Sequence, residues 1–395
     1  MRGLALIAIL VCTPAAARDL TLAGAEELLA ANNRELQAAR RAVESAEAQK
    51  LIAGTRPNAT FSVNSTAIAS GNRADTVFRI DQPFERGNKR ELRLDAAAGL
   101  ERAAQSDSLD VLRQQLALVR GAYFDLKLGQ ERAEVLAQAA ELFAGTLAAA
   151  RKRLQAGDLA PADVAKVQVD YERAQNDARI ALAEVARAQI ALAYLIGADP
   201  DLYASDPWPA LQHAEPAALE QAIEVRPDVV AARQRLEAAE KLRDLARAQR
   251  SRDVTLGAQY ERYPGNVPAN SVGFGVAVPL FTGNDFSGDI QKAEVDRYAA
   301  IDALERVRAV ALNDLRRAAG DLDAAADRLE RFEGSLLGAA SRSAEAAEFA
   351  FSRGATSVLE VLDARRTLRA VRLEALAARN DHAKALAAWR AALNR

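Results

Sequence analysis

The sequence predicts a mostly α-helical protein with a small β part, built from a duplicated unit of helix, β-hairpin, long helix and return helix. Alanine-rich stretches carry apolar residues at alternating spacings of three and four, which is typical of coiled-coil helices. Two pairs of short segments instead alternate apolar and polar residues, which is typical of strands. Both patterns occur twice. The turn glycines Gly157 and Gly354 lie 197 positions apart, and this interval indicates an internal repeat.

The first 17 residues have the features of a secretory signal peptide. Arg2 supplies a positive start, Leu4 to Val11 an apolar run, and Ala15 to Ala17 a small-residue cleavage site. Cys12 is the only cysteine and lies inside this segment, and the large Val11 before it disfavours lipidation. After residue 17 there is no run of about 20 apolar residues that could form a spanning helix. A membrane-spanning part would therefore have to be made of strands.

The mature chain divides into two repeats joined by a proline-rich linker. The first predicted repeat covers 18–197 and contains a helix over 21–53, a β-hairpin over 59–84 and a long helical hairpin with its tip near Gly157. A linker follows over 198–216. The second predicted repeat covers 217–395 and contains a helix, a β-hairpin over 253–281 and a long helical hairpin with its tip near Gly354. Each long helix would form a rod on the order of 100 Å at 1.5 Å per residue.

Composition and motifs give no support to catalysis or nucleic-acid binding. The charged residues, 27% of the chain, nearly cancel to a net charge of -2, so no nucleic-acid partner is expected. The only histidines are His213, in the linker, and His382, in a heptad pattern, where a packed or surface role is expected. No glycine-rich phosphate loop, nucleophile elbow or metal-ligand spacing occurs. We therefore expect no catalytic residue, no cofactor and no metal site.

Two classes of protein fit this layout. Long heptads alone are more often plain dimerising or bundling elements, so one class is a periplasmic coiled-coil scaffold that binds partners without a pore. The two strand pairs, at matching points of a duplicated chain, favour the other class, a membrane channel. Four strands cannot close a barrel, and open edges are not tolerated in lipid. The channel interpretation therefore requires several copies of the chain.

Three segments carry a family resemblance. G-A-T-S-V-L-E-V-L-D-A-R (354–365) resembles the glycine turn and acidic helix start of the TolC-like outer-membrane efflux channels. I-D-Q-P-F-E-R-G-N-K-R-E-L-R (80–93) and V-A-V-P-L-F-T-G-N (276–284) are similar to the strand-to-helix exits of the cation-efflux (CzcC-like) branch. The resemblance implies a homotrimer in the outer membrane, with a large periplasmic portion. A 12-stranded β-barrel in lipid would continue into a 12-helix tunnel that meets a periplasmic adaptor and an inner-membrane pump of the RND type. Cation, multidrug and protein export all remain open as uses.

The resemblance also implies a periplasmic gate at the helical tips. By this resemblance, Glu360 and Asp363 would form the acidic constriction of the gate, and Asp163 would be their counterpart in the first repeat. A ring of such carboxylates would favour cations. The alternative is that Glu360 and Asp163 only stabilise their helix starts and pair with Arg365, Arg366 or Lys166. Phe351 stands where family members commonly have a tyrosine, so packing would replace a hydroxyl latch.

The turns at the two tips are the predicted adaptor-docking surface, although ordinary helix-hairpin chemistry would also place such residues there. The residues are Gly157, Leu159, Pro161, Gly354, Thr356 and Ser357.

In the hairpins, alternation predicts one wet face and one apolar face. The predicted barrel-lumen residues are Arg79, Asp81, Gln259 and Glu261. The predicted lipid-facing residues are Phe61, Phe78, Val254, Leu256, Tyr260, Phe274 and Val276, for which a soluble sandwich core is the alternative.

Overall fold

The computed structural model describes residues 18–66, 74–215, 219–264, 269–353 and 355–394. The predicted signal peptide, residues 67–73 of the first predicted hairpin and Gly354 lie outside the described residues. The helices are α1 (Leu22–Asn32), α2 (Arg34–Ala53), α3 (Lys89–Gln155), α4 (Pro161–Ile196), α5 (Leu219–Glu224), α6 (Pro227–Ala248), α7 (Ser287–Arg331), α8 (Leu337–Ser352) and α9 (Val358–Ala392). The strands are β1 (Arg18–Leu20), β2 (Thr60–Thr66), β3 (Asp75–Phe84), β4 (Leu202–Ala204), β5 (Val254–Tyr263) and β6 (Ala269–Ala277).

The chain forms two compact units, and each unit takes segments from both sequence repeats. The helical unit comprises the described parts of Met1–Leu36, Leu112–Leu219 and Asn313–Arg395. The sheet unit comprises those of Gln37–Val111 and Glu220–Leu312. The packing of the chain thus follows a different division from the two sequence repeats, and the repeat boundaries stay a prediction.

None of the helices in the described ranges combines the length and hydropathy that crossing a membrane requires.

The sheet unit contains one four-stranded antiparallel sheet in the order β2-β3-β5-β6. Both predicted hairpins are present, and the pairing of β3 with β5 joins them side by side. The second hairpin is shorter than predicted, because β6 ends at Ala277 and not at Phe281. Pro279 has no backbone N–H to give to a ladder, which explains the early end.

The helical unit contains a second, very small sheet that the sequence did not reveal. Residues 202–204 of the predicted linker form β4, which pairs in parallel with β1. Tyr123 fixes this pair, because its hydroxyl donates to the carbonyl of Leu20 (3.0 Å) and accepts from the backbone N–H of Asp206 (2.9 Å). Burial raises the pKa of Tyr123. Three-residue strands are too short for an alternating pattern, so the prediction of a plain loop was wrong here.

The helix predicted over 21–53 is broken at Asn33, which ends α1 and starts α2. The Asn33 side-chain oxygen accepts from the backbone N–H of Leu36 (3.1 Å), as an N-cap does. Its amide nitrogen donates to the carbonyl of Leu195 on α4 (2.8 Å). An apolar pattern that continues across both helices hid this break.

A π-helical turn, Phe332–Leu336, separates α7 from α8. In the sequence, Leu329, Phe332 and Leu336 continue the apolar spacing of three and four without a break. Leu329 and Phe332 are buried, but Leu336 is 45% exposed and Leu337 takes its place against the core. A π turn inserts one extra residue, which moves the apolar stripe on by one position.

Candidate functional site

The first helical tip is a tight turn between α3 and α4. Gly157 has a φ of +82°, a left-handed conformation that glycine adopts without the usual steric cost. The backbone N–H of Asp158 donates to the carbonyl of Arg153 (2.9 Å), which closes the helix end. Leu159 folds back onto the core, and Pro161 is the first residue of α4. Of the predicted docking residues, Gly157 and Pro161 are therefore exposed and Leu159 is partly buried.

The second tip joins α8 to α9. Ser357 is the N-cap of α9, since its hydroxyl accepts from the backbone N–H of Glu360 (3.3 Å). The hydroxyl of Thr356 donates to the Glu360 carboxylate. Both hydroxyls thus serve the local turn, and Gly354 beside them lies outside the described residues.

The three predicted gate carboxylates fall into two places. Glu360 and Asp363 are exposed and line one shallow groove of about 450 Å³ with Ser343 and Ala347 of α8. Among the described residues, Asp363 has no hydrogen-bond or ion-pair partner. Asp163 is on α4, where Lys166 Nζ approaches to 3.2 Å and compensates its charge.

Phe351 is a packing residue in this structure. Its half-buried ring lies against the tip core, and the Arg153 guanidinium stacks 4.6 Å from its centre. The buried members of this core are Phe143, Leu147, Ala150, Val164, Val167, Ala174, Val358 and Leu362.

Ion pairs join α9 to neighbouring helices through Arg365, Arg366 and Arg369. The partners of Arg365 and Arg366 differ from those considered from the sequence. Arg365 binds Glu348 of α8 (2.8 Å) and also contacts the Thr146 hydroxyl of α3. Arg366 binds Asp170 of α4 at 2.5 Å. Neither arginine pairs with Glu360. The alternative in which Glu360 pairs with Arg365 or Arg366 is not seen here, because both guanidiniums reach across to other helices.

The buried member of these pairs is Asp170, whose side chain is 7% exposed, whereas Arg366 is 48% exposed. One heptad further along α4, Asp177 pairs with Arg369 (3.2 Å). The sequence signal was present in the R-R-x-x-R spacing of α9 and the seven-residue spacing of the two aspartates. One sequence could not show which acid meets which arginine.

The two faces of the sheet carry the side chains that the alternation of apolar and polar residues predicted. All seven predicted lipid-facing residues lie on one face of the sheet. Phe61 pairs with Ile80, two positions from Phe78 on β3, and the register of β5 and β6 places the other five on the same side. Six of these seven side chains are exposed in the single chain, Phe274 at 87%, and Val254 is partly buried.

Arg79, Asp81, Gln259 and Glu261 share the opposite face. Arg79 Nε lies 2.7 Å from Asp81 Oδ2, and Gln259 Nε2 donates to Glu261 Oε1 (2.7 Å). Arg79 Nη1 donates to Gln259 Oε1 (3.3 Å), so the four residues form one connected network.

The two histidines lie apart from both regions. His382 is fully buried, with Nε2 at 3.1 Å from the carbonyl oxygen of Gln212. His213 is exposed, and its ring lies near Asp327 and Glu330, with possible ligand atoms within 4.8 Å of one another. Exposed acidic groups are common without a metal ion, so we assign no metal site here.

A duplicated helical chain carrying this sheet has the fold of an outer-membrane channel subunit. The structure of CusC, described as forming a transmembrane channel, has a TM-score of 0.81 at 20% identity and covers 94% of this chain and 91% of that one. The outer membrane protein VceC of Vibrio cholerae has a TM-score of 0.77 at 20% identity, covering 94% and 96%. The open-state MtrE channel of Neisseria gonorrhoeae has a TM-score of 0.79 at 18% identity, covering 94% and 88%.

Sequence comparison points to the same class of protein. A model described as "Outer membrane efflux protein" matches residues 218–395. The cobalt-zinc-cadmium resistance protein CzcC of Cupriavidus metallidurans is 28% identical over 368 residues, which cover 91% of this chain and 87% of CzcC. The chain matches the outer membrane efflux protein family over residues 218–395, and it is similar to CzcC along most of its length. It is an outer-membrane protein.

Proposed function

We propose that the chain forms a homotrimeric channel, the passive exit duct of a tripartite RND-type efflux system, and that its periplasmic tip is the gate. The observation that carries the proposal is the sheet. It has four strands, one exposed apolar face, and edge strands β2 and β6 without a further neighbour among the described strands. Unpaired edges are costly in lipid, and a continuous exposed apolar face indicates a membrane or protein partner. Sister copies would satisfy the edges, and lipid would cover the face.

The number of copies follows from the family resemblance. Three chains supply twelve strands for one closed barrel. The barrel removes the open edges that each single sheet has. Arg79, Asp81, Gln259 and Glu261 then line the water-filled interior, where charges cost less than on the lipid face. The exposed apolar side chains of the opposite face then lie in the lipid.

We propose metal cations or small toxic compounds as the cargo. The cation proposal rests on the similarity to CzcC, whose name refers to cobalt, zinc and cadmium resistance. The acidic groove of Glu360 and Asp363 supports it, because a ring of carboxylates favours cations over anions. The pump would supply energy, and this chain would act without catalysis.

The proposed gate combines this groove with the pairs that hold α9. Arg365 and Arg366 tie α9 to α3 and α4 at the level of the tip. Opening would have to break at least one of these pairs, so they stabilise the closed arrangement. The tip turns, with Gly157, Pro161 and Ser357 on the surface, are the proposed docking point of the periplasmic adaptor.

Expression with cell fractionation and planar-bilayer recording tests the proposal. We expect the chain in outer-membrane fractions as a trimer that dissociates on heating, with single-channel conductance after purification. Replacing both Glu360 and Asp363 with Gln and Asn should change cation block. A monomer released by osmotic shock, without channel activity, would contradict the channel.

A further inference from the structure

The polar face of the four-stranded sheet carries an excess of negative charge. Strand alternation places Asp75, Arg79, Asp81 and Glu261 on this face, where Glu261 lies between Val77 of β3 and Ser271 of β6. Arg262 lies on the other face, beside the apolar side chains. One arginine against three carboxylates gives a formal charge of -2 for the polar face of the described strands.

These charges are not equivalent. Asp81 is compensated by Arg79, because Arg79 Nε lies 2.7 Å from its carboxylate. Among the described residues, Glu261 accepts only from neutral donors, namely Gln259 Nε2 (2.7 Å), Ser271 Oγ (2.9 Å) and the hydroxyl of Tyr263. Such hydrogen bonds fix the position of a carboxylate without cancelling its charge. The charge of -2 that remains on this face is therefore that of Asp75 and Glu261, and Glu261 is the uncompensated member of the network.

Glycines beneath the network hold the charged side chains flat against the sheet. A Cβ at Gly257 would overlap Asp81 Oδ1, and a Cβ at Gly273 would lie 3.1 Å from Gln259 Cγ. Gly275 lies beneath Arg79, with its Cβ position 3.8 Å from Nη2. Because these positions lack side chains, Arg79 can lie along the sheet and reach Asp81. The negative charge of Glu261 is consequently not opposed by a free guanidinium.

We propose that Glu261 is a specificity-determining residue that gives the sheet part of the pore a preference for cations. The inference rests on the proposed trimeric channel, in which three copies of Glu261 face one lumen. Charges of one sign in a passage with low-dielectric walls concentrate counter-ions and repel co-ions. Three unit charges about 10 Å from the axis, screened at 0.1 M salt, change the ratio of cations to anions by a factor of about 2 to 4.

Reversal potentials of single channels in a KCl gradient test the proposal. We expect the ratio of potassium to chloride permeability to fall about two- to fourfold in Glu261→Gln. Glu261→Asp should keep the wild-type ratio, which separates charge from shape. Arg262→Gln is the matched control, because it changes the charge of the neighbouring residue on the opposite face and should leave the ratio unchanged.

The outcomes separate this inference from the channel proposal. If the wild-type trimer forms no channels, the proposed function itself fails. If it conducts, and Glu261→Gln keeps the wild-type ratio, the assignment of Glu261 is overturned while the channel stands. A rise of the same size in Arg262→Gln would also overturn it, because a charge would then act equally from either face. Recovery of each variant as a heat-dissociable trimer shows that its measured ratio belongs to the assembled protein.

Discussion

The ion pair between Arg366 and Asp170 offers the most direct test of the proposed gate. Replacing Arg366 with Gln removes the positive partner of a carboxylate whose side chain is only 7% exposed. The aspartate then stays in a poorly solvated position without its cation. We expect α9 to separate from α4 more readily and the channel to open more often.

The magnitude follows from the burial of the two partners. Removing one partner costs about 3–5 kcal/mol in a buried pair, but exposed pairs contribute only about 0–1 kcal/mol. Because Arg366 is 48% exposed, we expect an intermediate cost of about 1–3 kcal/mol. This cost would shift the balance between the closed and open tip by about fivefold to a hundredfold, at about 1.4 kcal/mol per factor of ten.

Open probability in planar bilayers is the assay, read as a double-mutant cycle. Arg366→Gln should open the channel strongly. Adding Asp170→Asn should reverse much of that effect, because the stranded charge is then gone. Arg369→Gln is a control with a smaller expected effect, since Asp177 is 42% exposed. Additive effects of the Arg366 and Asp170 changes, within about 0.5 kcal/mol, would refute the reasoning.

Three further predictions concern the helical unit. Deleting Ser335 should convert the π turn to α-helix, because it removes the one extra residue, and should leave the trimer yield unchanged. Deleting Glu345, which lies inside α8, should shift the apolar stripe and abolish trimers on gels. Gly157→Ala should lower the melting temperature, because the left-handed turn costs alanine about 1 kcal/mol. Gly145→Ala, inside α3 with open space around it, should raise the melting temperature, because glycine inside a helix carries a penalty of about 1 kcal/mol. The raised pKa of Tyr123 contributes stability that is present below about pH 10 and is lost as the pH rises through the folded-state pKa. In chemical denaturation, Tyr123→Phe should therefore lower the stability at pH 8, because its hydrogen bonds are lost, and remove part of the decline in stability at alkaline pH. An unchanged alkaline decline in Tyr123→Phe would contradict this assignment.

The parts of the fold with strong local periodicity could be predicted from sequence. Two-residue alternation placed Arg79 and Phe274 on opposite faces, and the structure confirms both placements. The N-cap role of Ser357 and the left-handed turn at Gly157 were likewise local, since each depends on residues within one helical turn. Such features need no knowledge of the partner element.

The features that were missed depend on distant residues or on a single inserted position. The partner of Arg366 lies 196 residues away in the chain, and a pattern of charges does not specify it. The π turn moved Leu336 out of the core, although the heptad spacing continues through it in the sequence. The short β1–β4 pair depends on Tyr123, which the heptad pattern explains equally well as a core residue.

Lipid accessibility of the sheet tests the central claim most directly. The predicted mature chain contains no cysteine, so single cysteines can be introduced and labelled with a fluorophore at Phe274 and at Gln259. In trimers reconstituted with brominated lipids, the account predicts strong quenching of the label at 274 by lipid and quenching of the label at 259 by aqueous iodide alone. Equal quenching of both labels by iodide, with none by brominated lipid, would contradict a sheet that is sealed by sister copies and surrounded by lipid.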